Sequence, residues 1–284
     1  LILAASFALT ALIYFRPYAH SPEPGFFFQS AAADLARSIN NTTGLGWNGG
    51  LSVRPPRSTE REPRTAYLDR RLWDSFPSLR YLVPASERLV VLDEQHPPVI
   101  ASGASAALYV SPYDDPHGWF SHIPAGLIIQ PGAGPLARND QDSTPVSLYS
   151  VYEIRPYAGS GGVPVAQFDG GFTLLSAQRR DSGQVVEVTL LWQAARAPGR
   201  DYQVFAHALL DGSVIAQTDG PLGLGLYPSR WWRGGEIVEE TRYCLLPPAV
   251  DTAAVVIRVG LYDLQTGDRL PRTDVPGDGV SIEP

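Results

Sequence analysis

Residues Asp201–Gly220 read DYQVFAHALLDGSVIAQTDG. Two runs of strand-forming residues, Tyr202–Leu210 and Ser213–Thr218, flank Asp211-Gly212, a dipeptide suited to the tight turn of a β-hairpin. Toward the N-terminus, Val186, Val188, Leu190 and Trp192 alternate with Glu187, Thr189 and Gln193, the pattern of a strand with one buried face. Toward the C-terminus, Gly235–Leu246 reads as another strand. Ala254–Tyr262 and Asp268–Pro271 form a further pair joined through Gln265-Thr266-Gly267. With Phe172–Gln178 this makes about eight short strands, which predicts an all-β sandwich of jelly-roll type over residues 169–284.

Before it, Pro156–Val165 (PYAGSGGVPV) has a linker composition, so the boundary is expected at 158–168. Upstream the period changes. Phe27, Ala31, Leu35 and Ile39 fall on one stripe of a helix over Phe26–Asn40, ended by Asn40, Asn41 and Gly44. A Pro/Arg-rich loop over Arg54–Arg64 leads to a strand at Ala66–Leu68 and a helix over Arg70–Leu79. Further strands are expected at Leu89–Leu92, Ala106–Val110 and Gly126–Gln130, with an edge strand over Val146–Arg155. Short apolar strands alternating with helices predict a Rossmann-like, three-layer α/β domain with a parallel sheet over 22–157.

The chain has 284 residues, 44% of them hydrophobic, enough for two cores. Its 27 Gly and 26 Pro favour turns and short strands over long helices. A net charge of -7 leaves no basic surplus for phosphate backbones, so nucleic acid is excluded as a partner. A single cysteine, Cys244, excludes an internal disulfide and a multi-thiolate metal site, and its strand neighbours predict an inert buried thiol. All 22 basic residues are Arg, and there is no Met, from which a fragment of a longer product or a processed form is expected.

Leu1–Phe15 (LILAASFALTALIYF) carries no charge and ends at Arg16-Pro17. It is shorter than the ~20 apolar residues of a full span. A signal peptide would begin with basic residues and end at a small-residue cleavage site. The flanks instead favour the end of a truncated transmembrane helix over 1–17, with a signal peptide or a buried helix as the alternatives.

Few motifs carry chemistry. Gly44, Gly46 and Gly49 have dinucleotide-fingerprint spacing but follow a helix, and Gly132, Gly134 and Ala137 follow a strand but open no helix. Asp114, Asp115, His117 and His122 fit no metal-ligand spacing, and Asp-Asp-Pro is a turn signal. No G-x-S-x-G elbow is present. No metal or cofactor is expected. Asn41-Thr42-Thr43 has the glycosylation acceptor pattern. The densest aromatic and basic cluster is Arg230, Trp231, Trp232 and Arg233; sugar rings stack on exposed Trp faces and Arg bonds hydroxyl or phosphate oxygens. These four are the candidate glycan-binding residues, weighed against a core role for one Trp.

The terminal apolar helix, YLDRRLWDSFPSLRYLVP (Tyr67–Pro84), VTLLWQA, DYQVFAHALLDGSVIAQTDG, YPSRWWRGGEIV and VGLYDLQTGDRLP together resemble the C-terminal extracytoplasmic part of bacterial GT-C membrane glycosyltransferases. The group most similar contains the protein O-mannosyltransferases and aminoarabinose transferases. The resemblance implies a polytopic parent enzyme at the cell membrane, moving a sugar from a polyprenyl-phosphate donor. In that family the acidic catalytic residue lies in an early loop, so no residue here inherits it. The chain is expected to be a non-catalytic region meeting the membrane through its N-terminal helix, with a glycan or polyprenyl-phosphate sugar as partner. The alternative is a membrane-anchored carbohydrate-binding protein without enzymatic activity.

Overall fold

A computed structural model of the chain describes residues 2–13, 30–46, 62–112, 117–137, 146–159 and 162–284. Strand dominates. The helices are α1 (Ile2–Ile13), α2 (Ser30–Thr43), α3 (Arg70–Ser75), α4 (Leu79–Leu82) and α5 (His117–Phe120). The earlier strands are β1 (Thr65–Asp69), β2 (Leu89–Leu92), β3 (Ala106–Val110), β4 (Leu127–Ala133), β5 (Leu136–Ala137), β6 (Val146–Ser147) and β7 (Ser150–Pro156). Then follow β8 (Ala166–Phe168), β9 (Phe172–Ser182), β10 (Val185–Ala194), β11 (Tyr202–Leu210), β12 (Ser213–Gln217) and β13 (Gly220–Pro221). The last are β14 (Ile237–Leu245), β15 (Val256–Asp263) and β16 (Val280–Ile282).

The chain divides into two compact units, the first holding residues 1–98, 106–119 and 133–151, the second residues 99–105, 120–132 and 152–284. In the first, β1 pairs in parallel with β2 and with β3. The expected stripe of α2 covers this sheet: Leu35, Ala36 and Ile39 are buried with Ala66, Leu68, Ala107 and Tyr109. The helix runs three residues beyond Asn40 and stops at Gly44, whose φ of +71° only glycine adopts without strain. Tyr109 ties it down through its hydroxyl, 3.0 Å from Ser38 Oγ and 2.9 Å from Thr42 Oγ1. The helix expected over Arg70–Leu79 is two short ones. Pro77 disfavours helical backbone at Phe76, where φ is -120°. Phe26–Phe28 and the Arg54–Arg61 part of the Pro/Arg loop lie outside the described residues.

The second unit has two sheets. In one, β4 pairs in parallel with β14, which continues antiparallel through β10 and β9 to β8. In the other, β11 pairs with β12, β13 and β15, and β15 with β16. Val186, Val188, Leu190 and Trp192 are all fully buried, as their alternation predicts. Val204, Ala206 and Ala208 of β11 and Ile257, Val259 and Leu261 of β15 are buried as well, and Phe168 lies beside Trp192 at 5.8 Å. Asp211 and Gly212, with φ of +51° and +79°, make the expected hairpin turn.

Two expectations need correction. The Gly126–Gln130 strand, assigned to the first domain, is β4, and its Ile128 and Ile129 register with Ile237 and Val238 of β14 in the second unit. A parallel partner more than a hundred residues away leaves no local trace in sequence. For the same reason the chain does not divide at 158–168: the first unit ends at Val151, and β8 occupies part of the expected linker. The N-terminal helix is twelve residues long, and no described helix is long and apolar enough to cross a membrane.

Close approach in the second sheet generates a test. A Cβ on Gly260 of β15 would collide with the Asp278 carbonyl oxygen and the Phe205 ring. Gly260→Ala should therefore destabilise the protein by about 1–3 kcal/mol, read from urea denaturation. A midpoint unchanged from the parent would show that this approach is not needed.

Candidate functional site

The Trp-Trp turn is held by buried side chains of its own. Ser229–Trp231 forms one 3₁₀ turn between Pro228 and Trp232. Trp232 is only 1% exposed. Its ring stacks on Tyr227 at 6.2 Å and meets Phe172 edge-on at 6.1 Å, and its Nε1–H donates to the Tyr227 carbonyl at 2.9 Å. It offers no face to a sugar. Arg233 is likewise committed: it pairs with Glu236 and donates to the carbonyls of Ser121 and Ile123 at 2.8 and 2.7 Å. Glu236, 2% exposed, also accepts from the Arg233 N–H at 3.0 Å and from the Tyr227 hydroxyl at 2.6 Å. Burial first, then the adjacent Glu236 charge, pushes the Tyr227 phenol far above its ordinary value. Of the four expected glycan contacts, Trp231 and Arg230 remain toward solvent. The Arg230 guanidinium lies 5.3 Å from the Trp231 ring centre and pairs with Asp201. Adjacent tryptophans on a tight turn face different ways, so Trp232 is core while Trp231 is half-buried, with Tyr227 at 6.4 Å from its ring.

Ser229 connects this turn to a cleft. Its hydroxyl accepts from the Tyr202 N–H at 2.9 Å and donates to the Arg200 carbonyl at 3.0 Å. Arg200 and Tyr202 line a cleft of about 500 Å³. Three loops of the second unit meet there: Asp169-Gly170 before β9, Arg196–Tyr202 entering β11, and Thr266–Pro271 after β15. The Asp169 N–H donates to the Pro271 carbonyl at 2.9 Å, which joins the first and third.

The cleft walls are built from satisfied pairs. Arg200 reaches Asp263 at 2.7 Å, and its Nε–H donates to the Tyr202 hydroxyl at 3.1 Å. Arg269 lies over Phe205 at 4.3 Å and pairs with Asp278 at 3.0 Å. The Arg269 and Arg258 guanidinium groups hold the Asp278 carboxyl below the ordinary carboxylate range. Gln265-Thr266-Gly267 has the sequence of a plain turn, and no local signal marks it as lining a cleft with Arg196 and Asp169.

Behind the Trp turn, Pro221–Leu226 rests on a carboxylate in the core. Glu240 of β14 has no exposed surface. Its Oε2 accepts from the Gly223 N–H at 3.0 Å and from Arg242 Nη2 at 2.8 Å, and Arg242 also donates to the Pro221 carbonyl at 2.6 Å. Burial raises the Glu240 carboxyl, against the Arg242 charge and the Gly223 and Leu224 amides that lower it. Gly223, Leu224 and Gly225 all have positive φ, and the Gly223 and Leu224 amides bond Glu240; Leu224, at +58°, turns without a glycine's freedom.

The other sequence candidates have structural roles or lie outside the description. Gly46 abuts Pro84 and Asn40, and Gly134 abuts the Tyr149 carbonyl, so neither leaves room for a phosphate. Gly49, Asp114, Asp115 and the His117 side chain are outside the described residues. Among the described residues no three metal-ligating side chains come together. Thr43 of the glycosylation pattern is 1% exposed. Cys244 is buried 3.6 Å from the Ala206 carbonyl oxygen, and burial pushes its thiol up to about 11.

No protein-family model matches the chain, and no curated protein does. Among solved structures it is similar to a calcium-binding mutant (D341A D367A) of β-glucuronidase 2 from Bacteroides uniformis, at 12% identity and a TM-score of 0.27. The match covers 45% of this chain and 15% of that one.

The Glu236 strap is open to a direct measurement. Tyr227→Phe removes one hydrogen bond to a buried charged group and should cost about 1.5–3 kcal/mol in urea denaturation. Stability equal to the parent would show that the hydroxyl is not bonded to Glu236.

Proposed function

We propose that the chain is the non-catalytic, extracytoplasmic C-terminal region of a membrane glycosyltransferase that takes its sugar from a polyprenyl-phosphate donor. Its Rossmann-like first unit follows the membrane segment, and its sandwich-like second unit handles a glycan. The observation that carries this reading is α1. Its large apolar side chains are exposed around the helix, with Leu3 at 86% and Phe7 at 77%. An isolated twelve-residue helix of this kind is marginal in water, and lipid or neighbouring membrane helices would cover it.

The segments that carry the family resemblance supply the working parts of the second unit. VTLLWQA is most of β10, DYQVFAHALLDGSVIAQTDG spans β11 and β12, YPSRWWRGGEIV is the Trp strap, and VGLYDLQTGDRLP is the end of β15 with the cleft loop. The cleft itself also favours the alternative reading, an anchored carbohydrate-binding protein. The two differ in what the parent protein carries before Leu1.

The test is flotation with phospholipid vesicles. The full chain should float, and a variant lacking residues 1–15 should stay at the bottom of the gradient with its thermal midpoint nearly unchanged. A full chain that fails to float, or a deletion that unfolds the rest, would defeat the membrane assignment.

A further inference from the structure

Within the cleft, three charged side chains are not used by the walls. Arg196, Asp169 and Asp268 line it, all are exposed, and none has an ion-pair partner or a hydrogen bond from its charged group to another side chain among the described residues. The Asp169 carboxylate accepts only the N–H of the next residue, Gly170, at 2.7 Å. Asp268 is placed by its own N–H, which donates to Thr266 Oγ1 at 3.1 Å, and its carboxylate is left to the cleft. Gly170 also lines the cleft. Its φ is +76°, a backbone conformation that side chains rarely adopt, and a Cβ there would lie in van der Waals contact with the Phe172 ring and the Tyr202 hydroxyl.

The chemistry of these groups selects a ligand. The ionised carboxylates only accept hydrogen bonds and the guanidinium only donates, so a partner for both must donate and accept at neighbouring atoms. A hydroxyl does both, and a ring bearing adjacent hydroxyls presents them at the spacing of one bidentate side chain. An anion meets the opposite situation. The lining carries three Arg and three Asp, which leaves no net positive charge, and a phosphate or carboxylate seated on Arg196 would face Asp169 and Asp268. The volume falls in the range of small-molecule sites.

We infer that this cleft, rather than the Trp231-Trp232 pair, binds a neutral polyhydroxylated ring, with Arg196 and Asp268 reading its hydroxyls and Tyr202 flanking it. The inference rests on the glycan-handling part of the reading above and gives it a site and a ligand class. Trp231 lies beyond the Arg230–Asp201 pair and is not part of the recognition set.

The experiment is saturation-transfer difference NMR on the full chain in a detergent without a sugar headgroup. The probes are methyl α-D-glucopyranoside, methyl α-D-mannopyranoside, glucuronate and inorganic phosphate, the last followed by ³¹P line broadening. At least one neutral glycoside should bind in the millimolar range, with Arg196→Ala and Asp268→Asn each weakening it about tenfold and Trp231→Ala leaving it unchanged. Both polar positions are exposed, and an unchanged thermal midpoint in each variant separates loss of the site from loss of the fold. Should either variant unfold, Arg196→Gln and Asp268→Ser make the same reading. Four outcomes overturn the proposal: binding by neither glycoside, binding that survives both polar substitutions, binding lost with Trp231, or preference for glucuronate or phosphate. A chain that binds the glycoside yet fails to float with vesicles keeps the site and loses the membrane reading.

Discussion

A carboxylate without access to water must be answered from inside the protein, and in the second unit Glu240 imposes that requirement on everything around it. Its partners are the Arg242 guanidinium and the Gly223 and Leu224 amides of a loop that runs left-handed at three consecutive residues. Leaving such a charge unpaired in the interior costs several kcal/mol, so the loop has little freedom to take another course. From there the chain passes to Tyr227, which Glu236 holds, and to Ser229, which fixes the backbone of Arg200 and Tyr202. Two buried carboxylates thus set the position of one wall of the cleft.

The ion pairs at the cleft belong to a different class. Arg200–Asp263 and Arg269–Asp278 are partly exposed, and pairs of that kind add little to stability. Their value is geometric. Each occupies an arginine that would otherwise swing free, and the stacking of Arg269 on Phe205 and of Arg200 beside Tyr202 at 5.6 Å keeps the planar groups aligned. What remains for a ligand is a small set of unengaged groups on a fixed background.

Sequence patterns reveal contacts that repeat locally. The alternation in Val186–Trp192, the turn at Asp211-Gly212 and the stripe of Leu35 and Ile39 each report a neighbour within a few residues, and each appears in the structure where its period places it. The parallel pairing of β4 with β14 repeats nothing, so Gly126–Gln130 read as one more strand of the nearest sheet. The cleft was illegible for the same reason. Asp169, Arg196 and Asp268 lie in three separate turns, each ordinary alone, and only the closing of the two sheets brings them to one place. Trp231-Trp232 drew attention because composition marks aromatic density, while composition carries no record of which way a side chain faces.

The β4–β14 pairing also bears on how this protein can be divided. β14 has β10 on one side and β4 on the other, and β4 comes from a segment that enters the chain before the last strands of the first unit. A piece cut at the glycine-rich stretch near residue 160 would keep β8 to β16 but lose β4 and the residue 152–156 part of β7. Ile237 and Val238 would then stand on an open edge, with backbone groups unpaired and apolar side chains beside them, which is the template on which strands of separate molecules join. The natural seam of the chain therefore does not follow its most linker-like sequence, and the second unit is a whole only while a piece of the chain's first half is threaded through it.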